Sequence, residues 1–272
     1  MTRQDQVVSF DISIDYPGKT RVLDNVALEI NRGEILGLVG QSGCGKSTLA
    51  LALLRLIHLK QGRAHGSICL NGRELMECTE SKMRAIRGKE IALVLQSPMS
   101  SLNPALQIGT QMQEAWRAHR RGTRYECDQA IRESLDSVSL PADSEFLRRY
   151  PSHLSVGQAQ RVLIGMAVIH RPTLLIADEP TSALDVITQA EILTLFSDLS
   201  RRLSMSILFI SHDLLSVASI AHRAAVMRQG TIVECRRTAD IFRNPSHPYT
   251  QSLVRALPTL PLGLGHAAGK LS

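Results

Sequence analysis

Apolar and polar residues alternate at the start of the chain, with Val8, Phe10, Ile12 and Ile14 on one side and, further on, Val26, Leu28 and Ile30. A period of two is that of strands with one buried face, and Pro17-Gly18 supplies the turn between them. Three later runs lose the alternation. Ile35–Val39, Ile91–Leu95 and Leu174–Ala177 are continuously apolar, as strands covered on both faces are. Lys46 to about His58 reads as a helix, and Ser67–Leu70 with Asn71-Gly72 as a strand and turn. From about 97 to 165 the chain is rich in Gln, Arg, Glu and Ala, with Met112, Trp116, Ile131, Leu135 and Val138 at helical spacing; this predicts a mostly helical insertion. Alternation then resumes: a helix from about Thr188 to Leu203, a strand Ile207–Ile210, a helix from about Leu214 to Ala221, and a hairpin of Arg223–Met227 and Thr231–Cys235 around Gln229-Gly230. Strands alternating with helices predict an α/β fold with a mainly parallel sheet. The stretch from Pro258 carries Pro, Gly and Ala with little pattern and is expected to be loose.

Composition narrows the class. A chain of 272 residues, 44% hydrophobic and 21% charged, has ordinary globular composition and can bury a sizeable core. Aromatic residues make up only 4%, which argues against a base-stacking nucleic-acid surface. The net charge of +6 is met equally by a basic solvated surface and by affinity for phosphate or anionic lipid. The basic cluster Arg117, His119, Arg120, Arg121 and Arg124 reads as a solvated helix face. Five cysteines, none in a C-x-x-C pair, argue against a disulfide framework and a tetrahedral zinc site; Cys44 reads as structural. The first residues lack a basic start followed by an apolar stretch, so no secretory signal is read there. The longest apolar runs, Leu49–Leu54 and Val162–Ile169, fall well short of the roughly 20 residues a membrane span needs. A reducing cytoplasm is the expected setting.

The chemistry starts at Gly40-Gln41-Ser42-Gly43-Cys44-Gly45-Lys46-Ser47-Thr48, a full match to the phosphate-loop pattern. Its glycines let successive N–H groups turn inward on phosphate oxygens, and the helix starting near Lys46 adds its positive end. Lys46 brings a point charge between the β- and γ-phosphates, and Ser47 a hydroxyl for Mg²⁺. Asp178-Glu179 closes the run Leu174–Ala177. A carboxylate at the C-terminal end of a central strand falls beside the phosphate loop in a doubly wound sheet. Asp178 is thus a Mg²⁺ ligand candidate, and Glu179 the group placed to polarise an attacking water.

Leu154-Ser155-Val156-Gly157-Gln158, followed by Gln160-Arg161, resembles the signature sequence of ABC transporter ATP-binding subunits, usually Leu-Ser-Gly-Gly-Gln. With the phosphate loop and Asp178-Glu179, the resemblance covers nearly the whole chain. It implies an ABC cassette with an antiparallel β subdomain, ATP and Mg²⁺ as ligands, and hydrolysis of ATP coupled to transport. It also implies that Ser155, Gly157 and Gln158 meet ATP held by an opposing subunit. Val156 departs from the pattern; either the loop tolerates a β-branched residue there or that half of the composite site is weakened. Gln96 resembles the glutamine that touches Mg²⁺ and water, and Ser182-Ala183-Leu184-Asp185 the loop that crosses the dimer seam. His212 resembles the γ-phosphate sensor and Tyr16 the aromatic that stacks on adenine.

A narrower resemblance rests on Ser97-Pro98-Met99-Ser100-Ser101-Leu102-Asn103-Pro104 and, more distinctively, on Asn244-Pro245-Ser246-His247-Pro248-Tyr249-Thr250 with Leu253 and Ala256-Leu257-Pro258. Both are similar to oligopeptide, dipeptide and nickel importers. The resemblance divides the chain into an ATPase domain over 1–257, with a helical subdomain at about 97–165 and an importer-type tail at about 238–261, and a loose end at 258–272. It implies a second ATP-binding subunit, identical or related, two membrane permease subunits and, indirectly, an extracytoplasmic solute-binding protein, with no nucleic acid. The place implied is the cytoplasmic face of the inner membrane. The alternatives are a cytosolic ABC-type ATPase not coupled to transport and a phosphate-loop kinase; the latter leaves the signature, Gln96 and His212 without a purpose.

Overall fold

The computed structural model describes residues 6–257. Strands β1 (Gln6–Tyr16) and β2 (Lys19–Asn31) form a hairpin, and β3 (Ile35–Val39) leads into helix α1 (Lys46–Leu53). β4 (Arg63–Leu70), β5 (Arg73–Glu74), α2 (Glu80–Ile86) and β6 (Ile91–Val94) follow. A helical stretch comes next: α3 (Pro98–Ser101), α4 (Ile108–Arg117), α5 (Arg124–Ser137), α6 (Ser144–Leu147) and α7 (Val156–Val168). The chain then runs through β7 (Leu174–Asp178), α8 (Val186–Leu203), β8 (Ser206–Ser211), α9 (Leu214–Ile220), β9 (Arg223–Arg228) and β10 (Thr231–Arg237). It closes with α10 (Thr238–Arg243) and α11 (Pro248–Arg255).

Two sheets organise these elements. One has the order β10-β9-β3-β8-β7-β6 and is parallel except for its edge strand β10; the other, β2-β1-β4-β5, is antiparallel. The continuously apolar runs are explained by where their alternate residues go. Ile35, Val39, Leu175, Ala177, Ile207 and Phe209 join one core with α7, α8 and α9. Leu36, Leu38, Leu174, Ile176, Leu208 and Ile210 join a second core with α1 and the antiparallel sheet. In that sheet Val8, Phe10, Ile12 and Ile14 are buried while Asp11 is exposed, so the alternation read from the sequence is the inside and outside of one sheet.

The elements expected from the pattern are present, with corrections. The helix expected from Lys46 to His58 stops at Leu53. Arg55 takes a left-handed backbone (φ 52°), its N–H bonds to the Ala52 carbonyl, and Leu56 N–H reaches back to the Leu51 carbonyl. This is a Schellman stop made without glycine, and the Arg55 guanidinium then donates to the carbonyls of Leu75 and Cys78. A single 3-10 turn, Ile57–Lys60, takes up part of what was expected to be helix. Helix α8 starts at Val186 rather than Thr188, because the Asp185 carboxylate accepts from the N–H groups of Ile187 and Thr188. Helices α2, α10 and α11 lie outside the elements expected from the pattern. The expected loose end at 258–272 lies outside the described residues.

One glycine sets how closely two strands of the antiparallel sheet approach. Gly66 in β4 has φ +108°, and a Cβ there would sit 2.0 Å from the Asp11 carbonyl oxygen of β1. Gly66→Ala therefore meets strain and a backbone clash at once and is expected to cost about 2–4 kcal/mol. Chemical denaturation measures this; a loss below about 0.5 kcal/mol, the ordinary surface value, would show that the strand pairing there yields easily.

Candidate functional site

Parallel register brings the candidate residues to one edge. Val39 of β3 pairs with Ser211 of β8, Asp178 of β7 with Ile210 of β8, and Val94 of β6 with Ala177 of β7. The C-terminal ends of four neighbouring strands thus carry the glycine loop from Gly40, His212, Asp178-Glu179 and Gln96. This is where open α/β sheets place their ligands.

The loop is shaped by close approach. A Cβ at Gly40 would lie 2.3 Å from the Met227 carbonyl oxygen and 2.8 Å from Cys44 Sγ, and Gly45, at φ +114°, precedes α1 in the left-handed region. Gln41, Ser42 and Gly43 form the exposed lip, with Ser47 and Thr48 in the first turn of α1. Burial pushes the Cys44 thiol up against the opposing pull of Lys46, which fits the structural reading of that cysteine.

Lys46 is only 5% exposed. Its Nζ donates to the carbonyls of Gly40 at 2.7 Å and Gln41 at 3.2 Å, and stands 3.8 Å from Glu179 Oε1. The other oxygen, Glu179 Oε2, lies 3.1 Å from His212 Nδ1. Glu179 has a left-handed backbone (φ 50°), and its N–H bonds to the Ile210 carbonyl at 2.9 Å; strain of this kind is characteristic of functional positions. His212, exposed, rides on a turn fixed by Asp213, which caps α9 and accepts from the Gln189 side chain of α8. Asp213 and Gln189 support the site and were not read from the sequence, where each looks like an ordinary helix residue.

Asp178 has an orphan. Its Oδ1 is buried with no hydrogen-bond partner. Burial pushes the Asp178 carboxyl above its usual range; Glu179 adds to the rise, while Ser47 and Lys46 oppose it. A buried carboxylate oxygen without a partner, beside a hydroxyl and between charged neighbours, fits a hard cation with oxygen ligands. Gln96 is exposed just past β6, on the strand next to the one carrying Asp178.

The remaining candidates lie apart from this cluster. Ser155 is the N-cap of α7: its Oγ accepts from Gln158 N–H at 3.1 Å, and Gln158 Oε1 accepts from Ser155 N–H at 3.1 Å. Val156 is the first residue of the helix and is 41% exposed; it occupies ordinary helical backbone, so the conformation needs no glycine. Gly157 does need to be small, since a Cβ there would meet Thr188 Cγ2 at 2.7 Å. The signature therefore sits against the start of α8, whose cap is Asp185. In a single protomer no hydrogen bond or ion pair among the described residues joins Ser155, Gly157 or Gln158 to the glycine loop. Tyr16 ends β1 half-buried, its ring against Gly62.

A phosphate loop at the switch edge of a parallel sheet, with a lysine, two acids and a histidine converging on it, defines a nucleotide-binding α/β protein. Residues 23–182 match the ABC transporter family, and residues 233–269 match the oligopeptide/dipeptide transporter C-terminal region. The chain belongs to the ABC transporter family. It is 46% identical over 249 residues to the glutathione import ATP-binding protein GsiA of Salmonella choleraesuis, covering 89% of this chain and 40% of that protein. It is 40% identical over 258 residues to the oligopeptide transport ATP-binding protein OppD of Bacillus subtilis, covering 94% of this chain and 71% of that one. The chain thus spans less than half the length of the GsiA relative. Among solved structures, the ATP-binding cassette MJ0796, a dimer in a post-hydrolysis state bound to ADP and Pi, superposes with a TM-score of 0.72 at 25% identity over 85% of this chain and 98% of that one. CbiO1 of Clostridium perfringens shares the fold, with a TM-score of 0.75 at 22% identity over 88% and 92% of the two chains.

The exposed helical setting of Val156 yields a prediction. Val156→Gly should keep or raise ATP hydrolysis while lowering stability by no more than about 1 kcal/mol, the propensity cost of glycine in a helix. A marked fall in turnover at unchanged stability would mean that the valine side chain itself is used.

Proposed function

We propose that this chain is the ATP-binding and hydrolysing subunit that powers an importer, with peptides as the solute class. One observation carries the chemistry: Glu179 bridges Lys46 and His212 at the mouth of the phosphate loop. The peptide reading is supported by the match of the tail and by relatives named for oligopeptide and glutathione import, and it is favoured over nickel on that ground.

The residues act as follows. Glycine-loop N–H groups and the start of α1 receive the triphosphate. Lys46 leaves the carbonyls of Gly40 and Gln41 and turns to the β- and γ-phosphates, which frees Glu179 from its ammonium partner. Glu179 then accepts a proton from the water that attacks the γ-phosphorus, while His212 holds the departing phosphoryl oxygens. Ser47, Asp178 and Gln96 would hold Mg²⁺, which would supply charge neutralisation on the phosphate oxygens. Tyr16 offers a face for adenine.

The signature completes the site from a second subunit. Ser155 Oγ accepts one bond in its cap and keeps its own proton to donate, so capping leaves it competent toward a γ-phosphate. Asp185 is engaged differently: its oxygens accept from Ile187 N–H, Thr188 N–H and Thr188 Oγ1, so its contribution at the seam is to hold the start of α8. Residues 1–257 act as one ATPase unit, with the helical stretch of about 97–165 facing the membrane partners and the tail at about 238–261 specific to this class of importer. Among the described residues no helix is long and apolar enough to cross a membrane; two permease subunits form the path, and this chain works at the cytoplasmic face of the inner membrane. A solute-binding protein outside the membrane delivers the peptide.

Glu179→Gln is expected to retain ATP binding, lose nearly all hydrolysis, at least about 10²-fold, and accumulate a closed dimer on size exclusion; normal turnover would refute the role of Glu179. Lys46→Ala should abolish nucleotide binding in a fluorescent-ATP titration. Unchanged affinity in that variant would contradict the assignment of the loop.

A further inference from the structure

Within the described residues, the importer-type tail packs back on the phosphate loop. Three contacts make the return. First, Glu234 of β10, buried, accepts the backbone N–H groups of Ser246 at 2.9 Å and His247 at 3.0 Å. Arg236 closes the same turn by donating to the Asn244 carbonyl at 3.2 Å and to Ser246 Oγ at 2.9 Å. Second, His247 caps α11 through Nδ1, which accepts from Tyr249 N–H at 3.1 Å, and Pro248 occupies the first helical position, where its missing N–H costs nothing. Third, Tyr249, 8% exposed, extends its hydroxyl to accept the Gln41 N–H at 3.3 Å, with the Arg228 guanidinium 5.0 Å from the centre of its ring.

Gln41 is not an arbitrary partner. Its carbonyl is one of the two that hold Lys46 Nζ. One residue of the loop is therefore gripped from outside at its N–H by the tail and from inside at its carbonyl by the lysine. The outer side of the loop has a second support from the same region, because Gly230, in the turn between β9 and β10, donates its N–H to the Cys44 carbonyl at 2.9 Å. Burial alone would raise the Glu234 carboxyl, but the N–H groups of Ser246 and His247, with Thr250 and Arg236, hold it below its usual range; the anchor is a stable anion at neutral pH. Every group in this chain of contacts from Glu234 to Tyr249 falls within the segment 233–269 that matches the oligopeptide/dipeptide transporter region, apart from Arg228 and the loop itself.

We propose that Tyr249 is a positioning residue for nucleotide binding: its hydroxyl fixes the first peptide of the phosphate loop, so that the importer-type tail sets the affinity of the site for ATP. The inference rests on the phosphate-loop reading given above. Tyr249 meets the loop at the Gln41 N–H. It acts through Gln41, by removing freedom that the loop would otherwise lose when the triphosphate binds.

Tyr249→Phe tests this, since the ring, its packing and its contact with Arg228 are kept and only the hydroxyl is lost. In the full chain, titrated with a fluorescent ATP analogue and assayed for phosphate release, the variant should bind nucleotide roughly two- to tenfold more weakly, the range of one neutral hydrogen bond, with the loss falling on KM more than on kcat. Glu234→Gln, which weakens the anchor without touching Tyr249, should shift affinity in the same direction, and the two changes combined should give less than the product of the separate losses. Parent-like affinity in Tyr249→Phe, or a loss confined to kcat, overturns the proposal. So do losses in the two variants that multiply in full. Lys46→Ala separates this failure from a wider one: if Lys46→Ala abolishes binding while Tyr249→Phe leaves it intact, the tail proposal falls and the phosphate-loop reading stands.

Discussion

A buried ammonium governs the arrangement at the sheet edge. Lys46 lies almost wholly out of water, and an unpaired charge in such a place costs several kcal/mol. The protein meets that cost with two carbonyls of its own loop and one carboxylate. None of these partners is as strong an acceptor as a polyphosphate. The lysine is thus desolvated and oriented in advance and held by groups that a triphosphate outcompetes, so the cost of stripping its water is met during folding rather than during binding. Glu179 shares in the consequence. While the lysine holds Oε1 and His212 holds Oε2, the carboxylate is occupied at both ends; in the proposed mechanism, departure of the lysine toward phosphate would leave it free to act as a base. On that proposal, binding and readiness for chemistry would be one event, conveyed by a single exchange of ion-pair partners.

Asp178 shows the same logic with the sign reversed. Here one oxygen of an acceptor, Asp178 Oδ1, stands buried without a donor, next to a second carboxylate of like charge. Two acids at one strand end, one chained to a lysine and a histidine and the other left open, are differentiated by environment alone. The open one suits a cation; the chained one suits proton transfer. Their order in the chain could not be exchanged, because β7 and its pairing with β8 place Asp178 within the sheet and Glu179 just beyond it, in a left-handed turn secured by the Ile210 carbonyl.

Much of this was legible in the sequence, for definable reasons. The central strands showed themselves because both their faces are covered, which leaves a run of apolar residues with no polar gap. The glycine loop, Asp178 and Glu179 showed themselves because their chemistry demands fixed residue types at fixed spacings. What stayed hidden shares one cause: backbone conformations and contacts chosen by tertiary structure. The end of α1 is made by Arg55 in a left-handed conformation, the end of α8 by Ser204 likewise, and no glycine announces either stop. Helix α11 is capped by a histidine, an uncommon N-cap. The bond from Tyr249 to Gln41 spans 208 residues and involves a main-chain N–H, which no residue type betrays. The tail could be recognised as a motif, but its purpose could be seen only in space.

The placement of the signature follows from packing as much as from chemistry. Gly157 is small because α7 runs against Thr188, and that contact sets the start of α7 beside the start of α8. Two capped N-termini therefore share one face of the molecule, Ser155 on one and Asp185 on the other, with Val156, Val186 and Ile187 exposed between and beside them. The positive ends of two helices favour an anion, yet the lysine, the acids and the histidine proposed to process one lie on the strand edge, and no hydrogen bond or ion pair among the described residues joins them to these caps within the protomer. An anion-seeking surface without catalytic groups and a catalytic edge without the signature are each half of a site. Apolar side chains left in water beside the first half, Val186 at 83% exposed and Ile187 at 75%, gain by being covered. In the proposed assembly, joining one copy's caps to another's strand edge would satisfy the anion and the apolar surface together, so the contact that completes the site would also supply a hydrophobic driving force for forming it.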